Sequence, residues 1–226
     1  EPFYAGTYFP PEDRWGRPGF PRLLRVIREA WKDSRQELVD QARGLAAAIR
    51  RHLSDAPGGG SLPDPGVVEA VQLALARRFD AQWGGFGGAP KFPSPANLFF
   101  LLDRAGHDRE ARNMLEVTLD RMARGGLMDQ LAGGFHRYST DEQWLVPHFE
   151  KMLYDNASLG RLYAEAGARF GRVDFGRVAR QTFDFVLAEL TGPQGAFLSA
   201  IDAETGGHEG AYYVWSREEL ERELDP

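Results

Sequence analysis

Apolar positions along the chain fall into two kinds of pattern. From Phe20 onward they recur at 20, 23, 24, 27, 31, 38, 42, 45, 46, 49 and 53. This is helical spacing, and it predicts one or two long helices with a weak patch at Ser34-Arg35. Before it, Phe3 to Phe9 is rich in aromatic and small residues and ends at Pro10-Pro11, which predicts a strand with a hard stop. Ser54 to Gly66 holds four glycines and three prolines, a composition that prevents helix and strand and marks a connector.

Beyond the connector the pattern predicts helices over 66–79, 95–105, 108–124, 147–170 and 174–191. Ser94 before Pro95 reads as an N-cap followed by proline at the first helical position. Gly125, Gly171 and Gly192 sit just past three helix ends, where left-handed geometry is expected. Leu98-Phe-Phe-Leu-Leu102 is apolar all round, so its helix should be buried on most sides. Near the end, Ala211 to Trp215 reads as a short strand, and Ser216 with Glu219 as a capping box opening a helix.

An imperfect repeat overlies these elements. Trp83-Gly-Gly-Phe86, Ala132-Gly-Gly-Phe135 and Gln194-Gly-Ala-Phe197 each follow a helix, spaced by 49 and 62 residues. Repeats of this period indicate stacked helix pairs, none able to bury its apolar face alone. The expected architecture is a helical toroid or solenoid with the glycine-aromatic loops on one rim.

Composition narrows the function. Hydrophobic residues make up 42% of the 226 and charged residues 27%, ordinary globular values. A net charge of −6 disfavours a nucleic-acid binder. The arginines clustered in residues 12–51 read as the solvated side of a helix. No apolar run is long enough to span a membrane. The absence of cysteine excludes disulfides and thiol redox chemistry carried by this chain, and it fits a reducing, cytoplasmic compartment. The chain starts at Glu1-Pro2 without methionine, which suggests that its native N-terminus lies upstream.

The densest polar-aromatic stretch runs from Gly133 to Asn156. Helical spacing puts His148, Met152, Asp155 and Leu159 on one face beside apolar residues, an arrangement suited to a polar cavity. His136 and His148 are candidate general bases, with Asp141, Glu150 and Asp155 as acids or orienting carboxylates. Tyr138, Trp144 and Tyr154 offer flat faces for a sugar ring, with Trp83, Phe86, Lys91, Arg137 and Asn156 as further binding candidates on the rim. The same residues could instead bond loop backbone across the toroid. A metal centre at His136, Asp141, His148 and Glu150 fits no zinc spacing, and neither metal nor cofactor is expected. Gly84 to Gly88 lacks the elements of a phosphate or dinucleotide loop and reads as a tight turn. Asp202, Glu204, His208, Glu209 and Tyr213 form an acidic-aromatic group that reads as a solvated loop.

Four segments carry a family resemblance: Gly6-Thr-Tyr-Phe-Pro-Pro11, Phe86-Gly-Gly-Ala-Pro-Lys-Phe-Pro93, Gly133-Gly-Phe-His-Arg-Tyr-Ser-Thr-Asp141, and Trp144-Leu-Val-Pro-His-Phe-Glu-Lys-Met-Leu-Tyr-Asp155. The sequence closely resembles the spermatogenesis-associated, thioredoxin-domain-containing family. The resemblance implies a mainly α chain, a partial (α/α)6 six-hairpin toroid preceded by the C-terminal strand and helices of a thioredoxin-like α/β domain. Residues 1–53 would end the thioredoxin-like domain, 54–66 would be a linker, and 67–226 the first part of a truncated toroid similar to N-acylglucosamine 2-epimerases. In such toroids the site lies in the central cavity with histidines as acid and base, roles open here to His136 and His148. The function implied is carbohydrate-active or carbohydrate-binding, epimerase- or glycosidase-like. The alternatives are a non-catalytic scaffold for a protein or peptide, or a redox protein whose cysteines lie upstream. Expected partners are a small-molecule sugar, with no nucleic acid and no membrane, and self-association of the truncated toroid.

Overall fold

The computed structural model describes residues 1–6, 8–14, 16–54, 64 and 66–224. The chain divides into two units, Glu1–Pro63 and Asp64–Pro226. Most of the expected connector, together with Thr7 of the expected strand, lies outside the described residues.

In the first unit the long helical pattern resolves into α1 (Phe20–Asp33) and α2 (Arg35–Ser54). They break at Ser34, whose φ of −137° leaves the helical region while its N–H still bonds Ala30 O at 2.9 Å. The Asp13 carboxylate fastens the entry to α1 by accepting from Gly19 N and pairing with Arg22. The strand expected at residues 3–9 does not form among the described residues: no neighbouring strand offers a ladder, and Phe3, Tyr4, Tyr8 and Phe9 stay exposed.

The second unit contains α3 (Gly66–Arg78), α4 (Pro95–Arg104), α5 (Arg109–Arg124), α6 (Leu153–Phe170), α7 (Val173–Glu189) and α8 (Arg217–Leu224). Between them run the two-residue strands β1 (Tyr138–Ser139), β2 (Pro147–His148), β3 (Lys151–Met152), β4 (Ala200–Ile201), β5 (Glu204–Thr205) and β6 (His208–Glu209). They pair antiparallel as β1-β2, β3-β4 and β5-β6. The core lies among α4 to α7, where Leu98, Leu101, Leu115, Leu119, Phe135, Leu159 and Tyr163 are all fully buried. Tyr163 donates its hydroxyl to Leu119 O at 2.7 Å, which allows a phenol to sit in this apolar interior. Close approach of α6 and α7 depends on small residues: a Cβ on Gly167 would stand 3.0 Å from Gly176 N.

Several helix ends differ from expectation. Ser94 adopts φ +48° and makes no capping bond; its hydroxyl reaches Phe92 O instead. The side-chain cap is found on α5, where Asp108 accepts from Glu110 N and Ala111 N. Of the three expected left-handed glycines past helix ends, Gly171 has the conformation at φ +68°, whereas Gly125 is extended and serves to let the Trp144 carbonyl approach. Residues 211–215 form turn and irregular backbone where a strand was expected, since β5 and β6 pair with one another. The capping box forms as expected, Ser216 N to Glu219 Oε2 at 2.7 Å and Glu219 N to Ser216 Oγ at 3.2 Å.

Candidate functional site

The glycine-aromatic repeat is a repeated piece of structure. In the first copy Asp80 N donates to Gly85 O, Gly84 N donates to Asp80 O, and Phe79 bridges Phe86. In the second, Asp129 N donates to Gly134 O, Gly133 N donates to Asp129 O, and Met128 bridges Phe135. The aspartate of each copy also caps its own loop: Asp80 accepts from Gln82 N and Trp83 N, and Asp129 from Leu131 N and Ala132 N. Each aspartate then binds a fully buried lysine. Lys91 Nζ reaches Asp80 Oδ2 at 2.7 Å and Gly84 O at 2.9 Å; Lys151 Nζ reaches Asp129 Oδ2 at 2.7 Å and Gly133 O at 2.9 Å. Burial would raise the Asp129 carboxyl, but the Lys151 ammonium and the Ala132 and Leu131 N–H groups hold it below the ordinary range. The third copy bridges Thr191 to Phe197 but has Gly192 where the others have aspartate, so it lacks a carboxylate for a buried lysine.

These locks account for several residues expected to line a cavity. Lys91 is buried in its ion pair, Phe86 is in the core, and Trp144, fully buried at φ +63°, donates Nε1–H to Trp83 O at 2.8 Å. Trp83 is half-buried under the Arg121 guanidinium, 5.0 Å from its ring centre. Asn156 clamps Phe135 through both N (2.6 Å) and O (3.0 Å) and donates to Met152 O as well. Asp141 spends its carboxylate on the N–H groups of Gln143, Leu145 and Val146. All six are occupied in holding the rim together.

The helix expected over 147–170 begins at Leu153 instead, because residues 147–148 and 151–152 pair as β2 and β3. His148 and Met152 therefore do not share a helix face with Asp155. The strands nevertheless bring polar groups together. β1-β2 pairing sets Tyr138 opposite His148, with their rings stacked at 4.9 Å and 20°. His148 Nδ1 lies 2.6 Å from Glu209 Oε1, carried on the β5-β6 hairpin, and its Nε2 lies 3.6 Å from Glu150 Oε2. Glu150 Oε2 also accepts from Arg137 NH1 at 2.7 Å. With Glu209 ionised, Nδ1–H donates to it, and Nε2 is left as the nitrogen able to take or return a proton.

Asp155, in the first turn of α6, borders the same group. It is 7% exposed and has no hydrogen-bond partner among the described residues. Burial, opposed by Arg137 and reinforced by Glu150, raises its carboxyl to about 6. Tyr154 stays exposed, with its hydroxyl close enough to help raise the Arg137 guanidinium. Of the expected site residues, Arg137, Tyr138, His148, Glu150, Tyr154 and Asp155 thus form one cluster.

His136 stands apart from them. Its ring is buried edge-on between Phe149 (5.4 Å) and Tyr213 (4.8 Å), with Nδ1 3.1 Å from Phe149 O. Burial first, then the Lys151 charge, pushes it down to about 4, so it is a neutral imidazole donating Nδ1–H at physiological pH.

Sequence reading missed Glu209, taken for solvated loop, and the Asp129–Lys151 lock. The lock had a signal: Asp-x-x-x-Gly-Gly-Phe occurs at both 80–86 and 129–135. Among the described residues no group of three histidine, aspartate or glutamate side chains could hold a metal ion, and no helix is long and apolar enough to cross a membrane.

Helical hairpins joined by rim loops define a class of fold. The chain is similar to a sugar epimerase from a ruminal bacterium (TM-score 0.50, 14% identity, 60% of this chain and 40% of that one). It is also similar to cellobiose 2-epimerase from Bacillus thermoamylovorans (TM-score 0.52, 12% identity, 62% and 42%). The fold is mainly α, part of an (α/α)6 toroid. Residues 1–50 match the Thioredox_DsbH family, described as "Protein of unknown function, DUF255". Across 99% of its length the chain is 40% identical to human spermatogenesis-associated protein 20 and 37% identical to the mouse protein of that name, and it spans 30% of each. Over nearly its whole length the chain is thus similar to spermatogenesis-associated protein 20, while spanning only part of the length of those proteins.

Proposed function

We propose that the chain contributes a carbohydrate-binding acid-base site, with proton transfer next to a sugar carbonyl as its reaction class. The observation that carries this reading is the cluster itself: His148 held between Glu209 and Glu150 and stacked on Tyr138, with the buried Asp155 carboxyl acted on by the Arg137 and Glu150 charges of the same group. In this reading the sugar reacts in its open-chain form: His148 Nε2 takes the C2 proton next to the carbonyl, the protonated Asp155 carboxyl returns a proton to C2 of the resulting enediolate, and Arg137 with Tyr138 orients the hydroxyls. The likeness to sugar epimerases lends the fold, not the reaction. A cysteine-free chain is consistent with a cytoplasmic setting.

The test is proton NMR of the full-length protein in D2O with a panel of reducing sugars. Loss of the C2 proton signal, abolished by His148→Ala, is the expected result. No exchange, no bond cleavage and no binding-induced shift with any sugar would refute the proposal.

A second reading, a non-catalytic scaffold, is favoured by one feature. A groove of about 400 Å³ formed by Leu153, Ala157, Phe183, Val186, Leu187 and Phe197 is lined only by apolar side chains.

A further inference from the structure

A second cavity, of about 260 Å³, lies beside the cluster and takes no part in the acid-base reading. Its walls include Lys151, Phe185 and the adjacent pair Tyr212 and Tyr213, whose rings meet edge to face at 5.1 Å and 83°. Three carboxylates also line it: Asp129, Glu189 and Asp202.

The charge balance is uneven. Lys151 is the only cationic wall residue, and Asp129 neutralises it at 2.7 Å. Glu189 and Asp202 have no ion-pair partner among the described residues. Asp202 caps Glu204 N through Oδ1 and keeps its other oxygen. Glu189 closes α7, so the negative end of that helix adds to the same potential. The Tyr213 hydroxyl registers this field: burial first, then Asp129, Tyr212 and Glu189, push it up to about 12.

The wall already holds one ammonium by this combination of groups. Lys151 Nζ sits 4.1 Å from the Phe185 ring centre and 5.2 Å from that of Tyr213, against a carboxylate. Aromatic faces flanked by carboxylates recognise organic cations, because the ring quadrupole and the anions attract the same charge. We infer that this cavity binds a small primary ammonium ion, seated between the Tyr212-Tyr213 corner and the carboxylates of Glu189 and Asp202. An amine on a sugar and an aliphatic diamine share this chemistry.

The inference stands independently of the acid-base reading, since none of its residues belongs to the His148 cluster. The test is calorimetric or NMR titration of the full chain at pH 7 and fixed ionic strength with glucosamine, 1,4-diaminobutane, N-acetylglucosamine and glucose. At least one amine should bind about tenfold more tightly than both uncharged sugars. Binding by glucosamine alone would assign the amine to a sugar, and equal binding by the diamine would assign it to any small amine. The preference should vanish in Glu189→Gln/Asp202→Asn, two exposed positions whose loss leaves the core untouched. Tyr212→Ala, at a residue 71% exposed, should weaken amine binding several-fold without altering charge. Equal affinity for charged and uncharged ligands, no binding by either amine, or a preference that survives the double variant would overturn it; the last would reflect only the −6 charge of the whole chain.

Discussion

Replacing Lys151 by methionine isolates the contribution of one buried lock. The substitution keeps the length of the apolar stem and removes the ammonium. What remains is an Asp129 carboxylate whose side chain is 10% exposed, supported only by the Leu131 and Ala132 N–H groups, and a Gly133 carbonyl without its donor. Breaking a buried pair by removing one partner costs about 3–5 kcal/mol, because the other charge is left uncompensated. Urea unfolding of the full chain, followed by the fluorescence of its five tryptophans, Trp83 and Trp144 beside the rim among them, should report a loss in that range at pH 7. Lys151→Met/Asp129→Leu should recover about 2 kcal/mol or more relative to the sum of the single losses, since the double variant leaves no orphan charge. The pH dependence follows from Asp129, whose folded value lies below the ordinary 3.8. Its contribution is complete above 3.8 and is lost as the pH falls through the depressed value. Wild-type stability should therefore drop more steeply below pH 4 than that of Asp129→Leu. A single-variant cost under about 1 kcal/mol, or additive losses, would refute the view that the repeated lock holds the rim.

Two further outcomes are expected. Asp155→Asn should stabilise the chain by about 1–2 kcal/mol above pH 7, because ionising a buried carboxyl raised to about 6 costs the folded state; the advantage should fade as the pH falls through 6 and disappear below 4, and destabilisation in urea melts at pH 8 would contradict it. We also propose self-association through the apolar groove beside α6 and α7: sedimentation should detect oligomers at high concentration, reduced by Leu187→Lys at a residue 63% exposed, whereas a monomer at all concentrations would exclude it.

Helices were legible in the sequence because their signals are local. The 3.6-residue pattern places α4, α5 and α7 to within two residues, and even the α1-α2 break falls at the expected Ser34. The strands were not legible, since a two-residue strand has no period of its own. Pro147-His148 and Lys151-Met152 continue the helical pattern of α6, yet partners remote in sequence, Tyr138-Ser139 and Ala200-Ile201, draw them into ladders. Side-chain roles divide along the same line. Trp144, Lys91 and Asn156 belong to residue types that bind ligands, but their partners are backbone groups 61, 51 and 21 residues away, which composition cannot reveal. His148 was legible as a candidate, whereas its partner Glu209 became visible only through the hairpin that carries it.

Asp155 and Asn156 make the clearest contrast between scaffold and site. They are neighbours in the first turn of α6 and both are buried, 7% and 0% exposed. Asn156 has its amide committed to three backbone groups of the second rim loop and of Met152, as a buried polar group requires. Asp155 has none of this among the described residues, and its nearest charges are Arg137, already bonded to Glu150, and Glu150 itself. A fold able to satisfy one side chain so fully had the means to satisfy the next. A carboxyl that costs stability next to the Arg137–Glu150 pair, where an asparagine would relieve the cost, is the pattern expected when stability is exchanged for chemistry. An Asp155→Asn chain that gains stability and loses sugar-dependent proton exchange would join the two halves of that argument, and one that gains stability with exchange intact would separate them.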